Sequence, residues 1–226
     1  MHIMQLENVC YTYQTQFQKV DALKGISFDF DAGKVYAIVG KSGSGKTTLL
    51  SLMAGLDLPT EGTVICDGVA TSACDLETYR REKAAVIYQS FRLFPLLTVA
   101  ENVMYPMELK GVKPKEAKNK AAELIARVGL PESVLDRYPT MLSGGEQQRV
   151  AIARALGMDT KIILADEPTG NLDTANSDNI FAILQALAHE ENYCVVIVTH
   201  DLNLAGKADR IIELHDGKLP DSGGTL

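Results

Sequence analysis

Eight consecutive residues, Gly40-Lys41-Ser42-Gly43-Ser44-Gly45-Lys46-Thr47, follow the pattern G-x-x-x-x-G-K-S/T. Its chemistry is anion binding. Three glycines let the backbone curl until several N–H groups face one anion, and a helix starting at the lysine adds its positive N-terminal end. Lys46 then reaches the outer phosphates of a nucleoside triphosphate as a point charge, and the Thr47 hydroxyl is placed to hold Mg²⁺. A chance glycine-rich turn would need no particular flanks. Here an apolar run at 35–39 precedes the loop and a helical pattern at 46–54 follows it, as the mechanism requires.

Two further segments carry chemistry. Residues 162–165 (Ile-Ile-Leu-Ala) run straight into Asp166 and Glu167. Ligands of open α/β sheets sit beyond the carboxyl ends of the strands. Asp166 is thus placed to approach Mg²⁺, and Glu167 to polarise a water for attack on the terminal phosphate. A positioned base is worth roughly 10²–10⁴ in rate. The second segment is Leu142-Ser143-Gly144-Gly145-Glu146-Gln147-Gln148-Arg149. Ser143 and Glu146 make a capping box, so the segment opens a helix. Two glycines in a first turn lower helix propensity, by about 1 kcal/mol each relative to alanine. They make sense where a ligand approaches the backbone closely, which gives a second anion site at a helix N-terminus.

The elements that must hold these segments alternate. Short strands are expected at 3–9, 26–30, 35–39, 63–66 and 85–88, then helices at 99–109, 115–128 and 144–156. A strand at 162–165, a helix at 175–188, a strand at 194–198, a short helix capped by Asp201 and a last strand at 211–214 follow. Strands alternating with helices imply a mostly parallel sheet covered on both faces. The reading is an α/β chain forming one domain over 1–226. Its parts are an N-terminal antiparallel β subdomain (about 1–35 and 60–88), an inserted α-helical subdomain (about 90–157) and a core from the remainder. The last residues, 220–226, are expected to fray.

Composition bounds the partners. Of 226 residues, 22 are Lys or Arg and 29 are Asp or Glu, a formal charge of −7. That balance argues against nucleic acid or an anionic bilayer as the main partner. The longest apolar run, 193–198, is far short of the roughly 20 residues needed to span a bilayer. The first residues lack the basic flank and apolar core of a signal peptide, so a cytosolic protein is expected. Cys10, Cys66, Cys74 and Cys194 form no Cys-x-x-Cys pair and read as reduced thiols.

Together and in this order, the phosphate loop, residues 142–148 and the Asp166–Glu167 strand end resemble the ATP-binding subunit of ATP-binding cassette (ABC) transporters, a P-loop NTPase fold with a RecA-like core. The resemblance covers about residues 3–219 and implies further roles. Tyr13 is similar to the aromatic that stacks on adenine, with Tyr11 its nearest competitor. The nucleotide-binding set implied is Tyr13, Gly40, Lys41, Ser42, Gly43, Ser44, Gly45, Lys46, Thr47, Thr48 and Asp166, with Ser143, Gly144, Gly145 and Asp173 acting from a second copy. Gln89 resembles the glutamine linking Mg²⁺ and the attacking water to the membrane partner. Mg²⁺ would thus be held by Thr47, Gln89 and Asp166. Gly170-Asn171-Leu172-Asp173 resembles the loop through which two copies communicate, and His200 the histidine that contacts the γ-phosphate. The catalytic set implied is Glu167, His200 and Gln89.

The resemblance further implies an ATPase that forms a homodimer around two Mg-ATP at the cytoplasmic face of the cell membrane. There it would drive a separate integral membrane permease. The Gly-Asn-Leu-Asp loop and residues 89–102 are most similar to the macrolide-exporter and lipoprotein-release group. Apolar Phe91, Leu93, Phe94, Leu96 and Leu97 either form part of a docking cleft for that permease or cap the insertion's own core. Control of an extracytoplasmic cell-wall hydrolase through the membrane partner is the alternative. A phosphate-loop kinase would leave residues 142–148 without a role. Cassette proteins of DNA repair or ribosomes usually carry long coiled coils or fused cassettes, which this chain lacks.

Overall fold

The alternating first segment folds into a long hairpin, β1 (His2–Gln14) and β2 (Lys19–Asp31), with Tyr13 opposite Val20. β3 (Lys34–Val39) follows and is buried along nearly its whole length, as its unbroken apolar sequence demands. It runs into the glycine loop and α1 (Lys46–Met53). β4 (Glu61–Cys66) and β5 (Val69–Ala70) return to the hairpin, closing an antiparallel sheet of order β2-β1-β4-β5. The computed structural model describes residues 2–220; fraying was expected over 220–226, of which all but Pro220 lie outside the described residues.

α2 (Leu76–Glu82), capped by the Asp75 carboxylate on the Thr78 N–H, leads into β6 (Ala84–Tyr88). The sequence showed no clear period here, and this short helix was not expected. β6 had been grouped with the antiparallel part; instead it pairs in parallel with β7 (Ile162–Asp166). A five-residue apolar run carries no period that separates the two kinds of sheet.

The insertion comprises α3 (Val99–Leu109), α4 (Pro114–Arg127) and α5 (Gly144–Leu156). Pro114 opens α4, where its missing N–H costs nothing. After β7 come α6 (Thr174–Glu191), β8 (Cys194–Val198), α7 (Leu202–Ala205) and β9 (Arg210–Glu213). The second sheet is wholly parallel, in the order β6-β7-β8-β3-β9.

Two cores flank that sheet. On one side Leu49, Leu50, Leu52 and Met53 of α1 pack with Ile38, Val64, Leu164 and Val196, filling the space between the sheets. On the other, Val103, Ile125 and Ile152 of the insertion join Ile163, Val195 and Leu184. Full burial of one such side chain is worth about 1.5–3 kcal/mol. The register then does the positioning: Asp166 lies beside Val198, and Val198 beside Ile38. The carboxyl ends of β3, β7 and β8 therefore open at one level, where ligands of such sheets bind.

Candidate active site

A cavity of about 770 Å³ opens there. Gly40, Ser42, Gly43, Gly45, Lys46, Thr47 and Thr48 form one wall, Asp166, Glu167 and His200 another, and Tyr13 a third. Glycine is required at two points of the loop. At Gly40 (φ 153°) a Cβ would lie 2.3 Å from the Leu214 carbonyl oxygen. At Gly45 (φ 102°) it would lie 2.6 Å from that of Ala22. Gly45 is also the N-cap of α1, so the first turn has no side-chain cap and no acid. Its free N–H groups suit an anion.

Lys46 donates from Nζ to the carbonyl oxygens of Gly40 (2.7 Å) and Lys41 (2.9 Å), which hold the ammonium at the mouth of the loop. Lys41 itself is exposed and contributes that carbonyl rather than its side chain. Ser44 is buried, and its hydroxyl has no partner. Tyr13 is half-exposed, with its hydroxyl 3.1 Å from Thr48 Oγ1. The Tyr11 hydroxyl is tied to the Asp57 carboxylate, which pushes its pKa up to about 12, and Tyr11 does not line the cavity. Of the two tyrosines, Tyr13 is the one with a ring at the site.

Burial pushes the Asp166 carboxyl above its ordinary range, and neighbouring Glu167 adds to the shift. Lys46, Arg92 and a bond with the Thr47 side chain pull it back. Glu167 is in the left-handed region (φ 49°), with its N–H bonded to the Val198 carbonyl at 2.9 Å. Its Oε2 lies 2.9 Å from His200 Nδ1.

The oxygen pair Thr47 and Asp166 fits Mg²⁺, which is usually held by one or two protein oxygens plus substrate phosphates rather than by a full protein cage. Among the described residues no group of three or more His, Cys, Asp and Glu makes such a cage. The wall also carries Asp21, Asp166, Glu167 and Asp216 against Lys24 and Lys46. A bare triphosphate would meet net repulsion there; a cation bound with it removes that repulsion.

Other expected residues stand apart from this cavity. Gln89 faces the 170–173 loop, donating from Nε2 to Asn171 Oδ1 at 3.2 Å and accepting on its backbone carbonyl from Asn171 Nδ2 at 3.0 Å. Asp173 caps α6, accepting from the Asn176 N–H at 2.8 Å and its side-chain amide at 2.9 Å. Those bonds hold its carboxyl below the ordinary range. Ser143 and Glu146 form the expected capping box. Ser143, Gly144 and Gly145 line no part of the cavity. Gly145 has a packing reason besides: a Cβ there would lie 2.4 Å from Asn176 Oδ1.

Val20, Asp21, Ala22, Lys24 and Asp216 line the cavity without having been foreseen. The first four follow from the Tyr13–Val20 register, which only the hairpin reveals. Asp216 comes from the turn after β9 and left no signal of its own in the sequence.

Comparison with known proteins agrees with this geometry. The family model described as ABC transporter matches residues 23–170. An uncharacterized ABC transporter ATP-binding protein of Bacillus subtilis, YclH, is 42% identical over 217 residues, covering 96% of this chain and 95% of that one. The ATP-binding cassette MJ0796, solved as a dimer in a post-hydrolysis state with ADP and Pi, superposes with a TM-score of 0.88 at 41% identity, over 96% of each chain. CbiO1 of Clostridium perfringens, part of the cbiONQ transporter complex, does so with a TM-score of 0.85 at 27% identity, over 96% of this chain and 86% of that one. No helix among the described residues is long and apolar enough to cross a membrane.

Proposed function

The chain belongs to the ABC transporter family as one of its ATP-binding ATPases, and on that premise we propose that it works as a head-to-tail homodimer that clamps two Mg-ATP and moves a separate membrane permease. The observation that carries this reading is the separation of its two anion sites. The phosphate loop opens into the cavity, while Ser143, Gly144 and Gly145 sit outside it. A second copy turned head to tail brings its Ser143, Gly144 and Gly145 over the γ-phosphate, so donors from both chains share one charge.

In this reading Lys46 turns from the Gly40 and Lys41 carbonyls to the outer phosphates. Tyr13 stacks on the base, with Val20 and Ala22 beside it. Thr47 and Asp166 hold Mg²⁺, which supplies charge neutralisation at the transferred phosphoryl group. Glu167 accepts a proton from the attacking water, and His200, its partner at 2.9 Å, moves to the γ-phosphate. Gln89, bonded to Asn171 of the 170–173 loop, and Asp173, which ends that loop and caps α6, act at the seam. Cleavage passes the γ-phosphoryl group from ADP to the water oxygen, so that no single ligand joins the two chains any longer, and the copies part.

The permease is of the macrolide-exporter and lipoprotein-release type, and the ATPase sits peripherally at the cytoplasmic face of the membrane. It docks on the surface around residues 89–102, where Phe94 and Leu96 stay exposed while Leu93 packs on the insertion's core. The dimeric MJ0796 cassette and the CbiO1 complex support the reading by similarity. Hydrolysis measured against protein concentration tests it. The rate should rise with the square of concentration in the dilute range; a rate linear throughout would sink the two-copy site.

A further inference from the structure

Residues 110–120, the turn after α3 and the first half of α4, hold five lysines and one acid, Glu116. The rest of the chain carries 17 basic and 28 acidic side chains, so this segment runs against the charge of the whole. All five lysines are exposed. Those on α4 divide between its two flanks. Ala117, Ala121, Leu124 and Ile125 turn inward and are buried. Lys120 shares one flank with Glu116 and Glu123, and lies 3.9 Å from the Glu123 carboxylate. Lys115 and Lys118 share the other flank, which carries Ala122 and Ala126 and no acid.

Two more lysines adjoin that acid-free flank. Lys113 is the residue before α4, and Lys110 stands in the turn after α3. Among the described residues, no carboxylate lies within ion-pair distance of Lys110, Lys113, Lys115 or Lys118, while Lys120 has Glu123. Lys110 donates from Nζ to the Met158 carbonyl, which orients the ammonium without neutralising it. The four charges are therefore uncompensated by the chain itself. They also continue the docking surface proposed above. The Phe94 ring packs 4.8 Å from that of Tyr105 on α3, and Leu109, one turn further along α3, stays 55% exposed beside Lys110.

We infer that Lys110, Lys113, Lys115 and Lys118 rest against anionic phospholipid headgroups of the bilayer around the permease. The inference rests on the membrane placement proposed above and adds a second contact to it. The overall charge still excludes the bilayer as the main partner, and the patch decides which face turns toward it. Compact, strongly hydrated ammonium groups on flexible stems suit a mobile layer of phosphates. A fixed carboxylate on a protein is met better by the planar fork of arginine, which residues 110–120 lack. They also lack an aromatic ring on which a nucleobase could stack. The attraction fades within a Debye length, about 8 Å at physiological salt, so it acts once the permease has brought the ATPase to the surface.

The test measures the Kd of the full chain for the permease encoded with it, held in nanodiscs of phosphatidylcholine alone or of equal parts phosphatidylcholine and phosphatidylglycerol. The native chain should bind the anionic discs at least about tenfold more tightly, each lysine near the surface being worth roughly fivefold. Lys113→Gln, Lys115→Gln and Lys118→Gln together should erase most of that preference and leave binding to neutral discs as it was. Lys19→Gln, Lys120→Gln and Lys207→Gln together make the same change in net charge elsewhere and should keep the preference. Thermal melting confirms that both triple variants fold. Equal affinity of the native chain for both discs, or loss of the preference in both triple variants alike, overturns the inference and leaves the docking surface standing. A patch variant weakened equally in both discs assigns the lysines to an acidic segment of the permease and overturns the inference as well. No binding of the native chain to either disc overturns the docking reading, and the inference falls with it.

Discussion

Glu167 Oε2 and His200 Nδ1 lie 2.9 Å apart, joining the residue after β7 to the loop after β8. The carboxylate is well covered, 18% exposed, while the imidazole is 74% exposed. The histidine is therefore free to move toward a γ-phosphate while the acid stays where the attacking water must sit. Glu167→Gln keeps a group that can still bond His200 but removes the base. Steady-state hydrolysis should fall by roughly 10²–10⁴, with ATP affinity within about twofold of the native chain by calorimetry. Native turnover would remove Glu167 from the base role.

Lys46→Ala deletes the only cation of the phosphate loop that lines the cavity. Charge-assisted bonds are worth about 1.5–3 kcal/mol, so the Kd for Mg-ATP should rise by roughly 10- to 150-fold. Unchanged affinity would contradict the assignment of the loop.

Asp166 carries its charge at a cost in the nucleotide-free protein. Its folded pKa is raised above the ordinary 3.8, chiefly by burial. The folded chain therefore holds more protons at this site than the unfolded one between the two values, and stability falls as pH rises through that window. Asp166→Asn, which cannot carry the buried charge, should raise the melting temperature at pH 7. The gain should vanish below pH 3.8, and Mg²⁺-dependent hydrolysis should be lost. Scanning calorimetry across pH reads the first effect and phosphate release the second.

Tyr13 and Tyr11 lie edge to face, 4.9 Å between ring centroids, yet only Tyr13 reaches the cavity. Tyr13→Ala should weaken ATP binding by about 1–3 kcal/mol, the worth of an aromatic stacked on a base. Tyr11→Phe, which loses only the bond to Asp57, should bind ATP as the native chain does. Equal losses would assign both rings to packing.

The glycine pair at the start of α5 has two possible reasons, and one double substitution separates them. Gly145→Ala drives a methyl against Asn176 and should lower the melting temperature and hydrolysis together. Adding Asn176→Ala removes the polar atoms that clash while keeping a good helix former, and should recover part of the melting temperature. Hydrolysis should stay low, because on the two-copy reading any side chain in this first turn hinders close approach of the other copy's ligand to the backbone. Recovered hydrolysis would make the glycine a packing residue alone.

What was legible in the sequence was what physics writes locally. The strand–glycine–helix order around 40–47 fixes the phosphate loop, Ser143 and Glu146 announce their capping box, and the apolar run before Asp166 places it at a strand end. Long-range register was not legible. Val20 and Ala22 reach the cavity only because β2 folds back on β1, and Asp216 only because the turn after β9 comes to the loop. β6 was grouped with the wrong sheet because five apolar residues fit either one. Arg92 and Arg154 are 62 positions apart and meet through a backbone carbonyl, a contact that no spacing rule reveals.

The central claim is that Mg-ATP joins two copies and its cleavage separates them. The most direct measurement is the solution mass of Glu167→Gln by static light scattering, with and without saturating Mg-ATP. The account predicts one chain without nucleotide, twice that mass with it, and a return to one chain when Ser143→Arg blocks the second anion site. A single-chain mass at saturating Mg-ATP, with binding confirmed in the same sample, would contradict it.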